Sequence, residues 1–319
     1  MKAVLVQPGG ALTYEDFDDP VAGPGEVVVE LKAAGINRRD LLVRNPPGPA
    51  YEFPLPLVPG SDGAGIRRDT GEEVVIYPGL HWGEREDAAG AEWGILGGPS
   101  NGTYSELVKV PEENVFEKPS RFSWEEAAAF PLAALTAYRA LFAVGRLHAD
   151  ETVLVLGAGS GVSTFLVQLA AQEGARVLVT SSSQEKIDRA KELGAAGGVL
   201  YTEEGWPQEV GPVDVVIDSV GSTWQDSLNA LRKGGRLVVF GGTGGAEVTL
   251  DVRGLYLNWK SILGTTMGSG RDFFAMMRMV HDAEWHPVID SVRPLAEADA
   301  AHDRMKAGEH FGKLVLSID

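Results

Sequence analysis

The chain of 319 residues predicts an α/β protein: a doubly wound parallel sheet with a second, mainly β domain. Three observations carry that reading. Thr152 to Ser163 (TVLVLGAGSGVS) runs from an apolar, β-branched segment through small residues into helical spacing. Beyond it, apolar runs alternate with helical segments as far as residue 241, the pattern of parallel strands joined by crossover helices. Before residue 120, short strands, turns and prolines replace that rhythm.

In chain order, Glu26–Ala33 (EVVVELKA), Glu73–Tyr77 (EVVIY) and Tyr104–Val110 (YSELVKV) alternate as half-buried strands do. Pro46, Pro47, Pro49, Pro54, Pro56 and Pro59 crowd one connection, which reads as a long loop. Val153–Leu156 is a short buried strand, and Gly157–Gly161 forms the turn. Phe165, Leu166, Leu169 and Ala170 give Ser163–Glu173 a helical face. Ala175–Thr180 is the second strand and Gln184–Leu193 a helix stopped by Gly194, with Ser183 as its N-cap. Gly198–Tyr201, Val213–Val220 and Arg236–Gly241 supply further strands.

The turn at Gly157 points to a dinucleotide. Unpaired amides and the positive dipole end at the start of the helix both favour a pyrophosphate. The full G-x-G-x-x-G pattern is broken, since neither Val162 nor Ser163 supplies the last glycine in register, so a glycine turn with no ligand stays open as the alternative. An NAD site places Asp or Glu at the end of the second strand, about 20 residues past the first glycine, to bind the ribose 2′-hydroxyl. Here stand Thr180, Ser181, Ser182 and Ser183, with Lys186 just beyond. Hydroxyls and a lysine in place of a carboxylate favour NADP(H).

Composition narrows the classes further. The 28 basic and 45 acidic residues give a net charge of −17, which repels nucleic acid and anionic membranes in the absence of a basic patch, and none is visible. With no cysteine, disulfides, thiolate catalysis and thiolate metal sites are excluded. The N-terminal MKAVLVQPGG has no secretory apolar core, and no apolar run reaches the roughly 18 residues that cross a bilayer. The expectation is a soluble, cytoplasmic enzyme. None of the six histidines sits in an H-E-x-x-H pattern.

The order of GINRRD (Gly35–Asp40), LVPGSDGAG (Leu57–Gly65), GTYSELVKVP (Gly102–Pro111), the nucleotide loop and EHFGKLVL (Glu309–Leu316) resembles the medium-chain dehydrogenase/reductase superfamily. Within it the chain is similar to the zinc-free quinone oxidoreductase branch. The resemblance implies a GroES-like catalytic domain (1–120 and 260–319) around a Rossmann NADP(H)-binding domain (121–259). It also implies that zinc-dependent relatives hold their catalytic metal at the positions of Asn37, Ser61 and Leu132, and a structural metal in a lobe that here carries Trp82, Arg85 and Ala88. Leucine has no ligating atom, and neutral Asn and Ser are poor zinc ligands, so no metal is expected.

Without zinc, the acceptor has to take hydride with hydrogen-bond help alone, as quinones and conjugated enones or enals do. Carbonyl or enoyl-thioester reduction, and a crystallin-like NADPH-binding protein without turnover, are the alternatives. By the same resemblance, Asn37 bonds substrate or ribose; Tyr51, in the proline-rich loop, is on its own position either a donor to the substrate oxygen or loop packing. Asp40 and Asp62 brace Arg38, Arg39 or Arg44. Gly157, Ser160, Gly161 and Val162 meet the pyrophosphate; Ser181, Ser182, Lys186 and Tyr201 meet the 2′-phosphate; Ser219, Phe240, Gly241 and Gly242 continue the cofactor site. Thr136, Thr265 and Met267 flank the nicotinamide, and Lys313 is either a cofactor contact or a surface charge. A homodimer is expected through Ser261–Met267 if that segment is an edge strand, with an interior strand as the other possibility.

Overall fold

The structure, a computed structural model, describes residues 1–245 and 247–319, and the chain divides into two compact units. One comprises Met1–Ala133 and Ser269–Asp319, the other Ala134–Gly268. The divisions therefore fall later than the expected 120/121 and 259/260, and for identifiable reasons. Trp124–Ala129, capped by Ser123, is a helix of buried alanines whose backbone comes close to Gly35 at the end of a strand of the first unit. Ser261–Gly264 pairs in parallel with Leu231–Val239 and so belongs to the second unit's sheet.

That sheet has six parallel strands in the order Gly197–Leu200, Arg176–Ser181, Thr152–Val155, Val213–Asp218, Leu231–Val239, Ser261–Gly264. In chain order this is 3-2-1-4-5-6, the doubly wound arrangement whose ligands lie beyond the carboxyl ends of the strands where the order reverses. Val153, Leu154 and Val155 have no exposure, as expected of a strand covered on both faces. Helix Gly161–Glu173 ends at Gly174 with φ 91°, a left-handed cap that glycine adopts without strain. Phe240 and Gly241, expected inside the fifth strand, lie just past its last residue. Ser261–Gly264 is an edge strand, which resolves the alternative left open by the sequence.

The first unit is built on a seven-stranded sheet. Its main path is Ile289–Pro294, Lys313–Ser317, Glu26–Gly35, Asp62–Arg67, Glu73–Ile76 and Val115–Glu117, with Leu107–Pro111 also paired to Glu26–Gly35. Lys313–Ser317 runs antiparallel to Glu26–Gly35, pairing Val315 with Gly35, and Ile36 N–H donates to Leu314 O at 2.9 Å. This register sets Lys313 beside Ile36 and Asn37, although 276 positions separate Lys313 from Asn37. Leu31, Ile36, Ile76 and Tyr104 are fully buried in the core beneath. The proline-rich connection is a loop apart from one 3-10 turn, Pro49–Tyr51. No helix among the described residues is long and apolar enough to cross a membrane.

Gly35 closes the strand that leads to Asn37, and a Cβ there would stand 2.3 Å from Ala128 O. Because the obstacle is backbone, Gly35→Ala is expected to destabilise the first unit by about 2 kcal/mol or more, read as a lowered urea midpoint. An unchanged midpoint would show that the helix moves aside at no cost.

Candidate functional site

In the second unit, the turn between the first strand and its helix is held by its own hydroxyls. Gly157 (φ 74°) and Gly159 (φ 106°) take the left-handed conformations that let the chain reverse. Ser160 caps the helix, its Oγ accepting from Ser163 N–H at 3.1 Å, while Ser163 Oγ donates back to Gly157 O at 3.0 Å. Ser163, directly after Val162 at the motif's missing last glycine, is 2 % exposed and stitches the turn together. The amides of Gly161 and Val162 precede the helical hydrogen-bond ladder, which starts with Thr164 N–H to Ser160 O. These are the donors a pyrophosphate takes.

The turn is also tied to the second strand. Gly157 N–H donates to Thr180 Oγ1 at 3.3 Å and Ala158 N–H to Thr180 O at 2.8 Å. Of the hydroxyls expected at a 2′-phosphate, Thr180 is buried in this role and the buried Ser181 Oγ accepts from Ser183 N–H. Ser183 caps the next helix by accepting from Lys186 N–H at 3.4 Å. Ser182 is exposed, Lys186 lies in the first helical turn, and Tyr201, 49 % exposed, donates its N–H to Ser181 O at 3.0 Å.

Two organising residues of this unit escaped the sequence reading. Asp218, fully buried at the end of the fourth strand, accepts from Val220 N–H, Gly221 N–H, Thr223 Oγ1 and Ser227 Oγ and so shapes the loop that begins at Ser219. Thr243 N–H reaches Ser219 O at 3.3 Å, and a Cβ on Gly241 would lie 2.8 Å from that same oxygen, so Gly241 permits the close approach of the two loops. Arg139, buried where the helix Pro131–Tyr138 widens into a π-helical turn (Arg139–Val144), donates Nε–H to Thr265 Oγ1 at 3.1 Å. Thr136 lies one turn earlier and is 5 % exposed; Met267 is buried at φ 43°. An aspartate after a strand and an arginine in a helix carry no motif, so only the fold reveals these two.

In the first unit the site gathers around Asp62, which has no exposure. Its Oδ2 accepts from Asn37 Nδ2 at 2.9 Å and pairs with Lys313 Nζ at 3.3 Å; its Oδ1 accepts from Leu132 N–H at 2.7 Å. Lys313 Nζ also donates to Ile36 O at 2.8 Å and Asn37 Oδ1 at 2.7 Å. Burial pushes the Asp62 carboxyl upward, and Lys313, Asn37 and Leu132 pull it back. Lys313 is thus 3 % exposed and its three N–H groups end on protein oxygens, so it is no surface charge. Tyr51 ends the 3-10 turn half-buried.

Asp40 and Asp62 form no ion pair with Arg38, Arg39 or Arg44, although the charge of Arg39 is felt at Asp40. Asp40 accepts from Asn37 N–H at 2.8 Å and Tyr104 OH at 3.0 Å, and Asp62 is committed to Lys313. Arg39 turns instead to Ser61 Oγ, Leu96 O and Gly98 O, and Arg44 to Gly10 O and Asp299.

The donor set does not fit a catalytic zinc. Asn37 presents an amide whose oxygen is taken by Lys313. Ser61 Oγ donates to Leu96 O and accepts from Arg39. Leu132 contributes only a backbone N–H, to Asp62. No group of three or more His, Cys, Asp or Glu able to hold a metal occurs among the described residues. The lobe around residue 82 is closed by an edge-to-face pair, Trp82 and Trp93 at 5.7 Å, and by Trp82 Nε1–H donating to Arg85 O at 2.8 Å.

Comparison with known proteins places this fold among the nucleotide-dependent oxidoreductases. Residues 23–120 match the family model of the alcohol dehydrogenase GroES-like domain, and residues 161–282 that of the zinc-binding dehydrogenases. A zinc-type alcohol dehydrogenase-like protein of Schizosaccharomyces pombe is 34% identical, with 97% of this chain and 95% of that protein covered. A quinone oxidoreductase of Pseudomonas aeruginosa is 31% identical over 96% of this chain and 95% of its own length. The crystal structure of an NAD-dependent alcohol dehydrogenase superposes with a TM-score of 0.92 at 36% identity, covering all of both chains. The chain belongs to the medium-chain dehydrogenase/reductase superfamily.

Behind Asn37 lies a buried trio. Tyr104 OH, which bonds Asp40, is 3.3 Å from His302 Nε2, while Asp40 Oδ1 and His302 Nδ1 have no hydrogen-bond partner. Burial pushes Asp40 up to about 6, against the pull of Arg39, Asn37, Tyr104 and Lys313. Burial, helped by Arg44 and opposed by Asp299, holds His302 down to about 4. Between its ordinary 3.8 and about 6, native Asp40 binds a proton the unfolded chain has lost, so its contribution to stability falls as pH rises. Between about 4 and its ordinary 6.5, native His302 lacks a proton the unfolded chain holds, so its contribution rises. Each is worth about 3 kcal/mol, and they oppose one another. Asp40→Asn is therefore expected to make the urea midpoint climb more steeply between pH 4.5 and 7 than in the unsubstituted protein. Parallel profiles would refute the assignment.

Proposed function

We propose that the protein is an NADPH-dependent oxidoreductase that reduces quinones or activated alkenes, enones and enals among them, without zinc. The observation that carries this reading is the state of the metal positions: Asn37 and Ser61 are hydrogen-bonded within the protein, and Leu132 has no side-chain donor. A reduced nicotinamide, when bound, supplies a hydride. The amides of Gly161 and Val162, in the turn built by Gly157 and Ser160, hold the pyrophosphate. Ser182, Lys186 and Tyr201 receive the 2′-phosphate, with Ser181 shaping their turn from inside. Ser219, Phe240, Gly241 and Gly242 complete the nucleotide site. Thr136, Thr265 and Met267 serve the nicotinamide end, with Thr265 oriented by Arg139. Asn37 and Tyr51 are the donors assigned to the substrate oxygen. NADP(H) is favoured over NAD(H), despite the NAD-dependent relative, because no carboxylate stands among Thr180 to Ser183 to repel a 2′-phosphate.

Oxidation of NADPH with a panel of quinones and α,β-unsaturated ketones tests the reaction. Turnover is expected with members of the panel, unaltered by a strong chelator; loss of activity on chelation would refute zinc independence. Lys186→Ala should raise the KM for NADPH about tenfold and leave that for NADH unchanged, since one charge-assisted hydrogen bond is lost. Ser182→Asp should shift the preference towards NADH.

The same reading includes a homodimer in the cytoplasm. Its support is the edge strand Ser261–Gly264, reached through a segment that exposes Val252, Tyr256, Leu257 and Trp259. Sedimentation should give a dimer, with Trp259→Glu shifted towards monomer; a monomeric unsubstituted protein would refute it.

A further inference from the structure

Reduction of a conjugated carbonyl compound adds hydride to the β-carbon, moves the π electrons onto oxygen and leaves an enolate, which then takes a proton from water. The developing charge on oxygen is met by a metal or by oriented donors. In this chain Asn37, one of the three metal positions, belongs to a closed ring of three side chains. Lys313 Nζ donates to Asn37 Oδ1 at 2.7 Å, Asn37 Nδ2 donates to Asp62 Oδ2 at 2.9 Å, and Asp62 Oδ2 closes on Lys313 Nζ at 3.3 Å. All three are buried: Lys313 at 3 %, Asn37 at 6 % and Asp62 at 0 % exposure.

The ring fixes the Asn37 amide. Turned over, its oxygen would face the Asp62 carboxylate and its NH2 the Lys313 ammonium, two repulsive contacts in place of two attractive ones. In the observed orientation one Nδ2–H is spent on Asp62. The second meets no protein acceptor among the described residues. The ammonium on Oδ1 draws electron density through the amide, which makes that remaining N–H a stronger donor.

Building on the reading of this site as a reductase of activated carbonyl compounds, we propose that Lys313 is a positioning residue. Its ammonium orients and polarises Asn37 so that the second Nδ2–H stabilises the negative charge forming on the substrate oxygen, the electrostatic help that a metal would otherwise give. Lys313 acts through Asn37 and touches neither substrate nor cofactor.

Lys313→Met alone leaves a buried, unpaired carboxylate, so the double variant Lys313→Met/Asp62→Asn, which removes both charges, is the working test. Its NADPH affinity, from fluorescence titration, should stay within about twofold, while kcat for a responsive enone falls at least tenfold with little change in KM. Asn37→Ala should lower kcat about a hundredfold, the usual loss for one oxyanion donor. Added to the double variant, it should cost little more, because both changes remove the same interaction. Full additivity, or a kcat preserved in the double variant, would overturn the proposal.

A readout independent of turnover uses protein labelled with 15N at asparagine. The Asn37 side-chain amide should resonate away from the other asparagines, and its two proton signals should move in the Lys313→Met/Asp62→Asn variant. An unmoved resonance overturns the role of Lys313. Inactivity of the unsubstituted protein on every quinone and enone overturns the reaction, and the resonance still decides on Lys313.

Discussion

A carboxylate with no access to water has to be neutralised where it stands, and the first unit is arranged around doing that for Asp62. The strand carrying Lys313 is laid against the strand that ends at Gly35, so an ammonium from one end of the chain meets a carboxylate and an amide from the other. The helical segment that follows Trp124–Ala129 gives its Leu132 N–H to the remaining carboxylate oxygen. Removing one partner of such a buried pair typically costs about 3–5 kcal/mol, which ties the register of two strands and the orientation of Asn37 to one electrostatic requirement.

The second unit solves a different problem, holding a glycine turn at the head of a helix. Amides can point at a phosphate only if the turn that presents them is rigid. Ser160 and Ser163 supply that rigidity by bonding each other's backbone, and Thr180 anchors the turn to the neighbouring strand. Ser163, next to the position where the motif's last glycine is missing, is therefore a structural member of the turn. Asp218 and Arg139 do the same at two other strand ends, through side chains that bond loops. In this unit the loops at the strand ends have their conformations set from beneath.

Much of this was legible in the residues. The buried strands of the parallel sheet, the glycine turn, Ser183 as a cap and three strands of the first unit follow from local periodicity and turn chemistry, which act over a few residues. Boundaries were less legible: nothing local says that Ser261–Gly264 completes one sheet and Lys313–Ser317 another, because strand pairing is settled by partners distant in sequence. The roles of Asp40 and Asp62 were misjudged for the same reason. Adjacent arginines seemed natural partners in sequence, but the helix Arg38–Arg44 turns them elsewhere, and Tyr104 and Lys313 arrive from other strands and loops.

The sequence by itself determined the class of fold, the place of the glycine turn and the absence of thiolate chemistry, since each depends on residue type and short-range order. Only the tertiary structure decided that Lys313 is interior, that Asn37 sits between Lys313 and Asp62 and that Asp40, Tyr104 and His302 form one buried trio. Those outcomes depend on which charges and donors are brought together out of water, and burial is a property of the assembled chain.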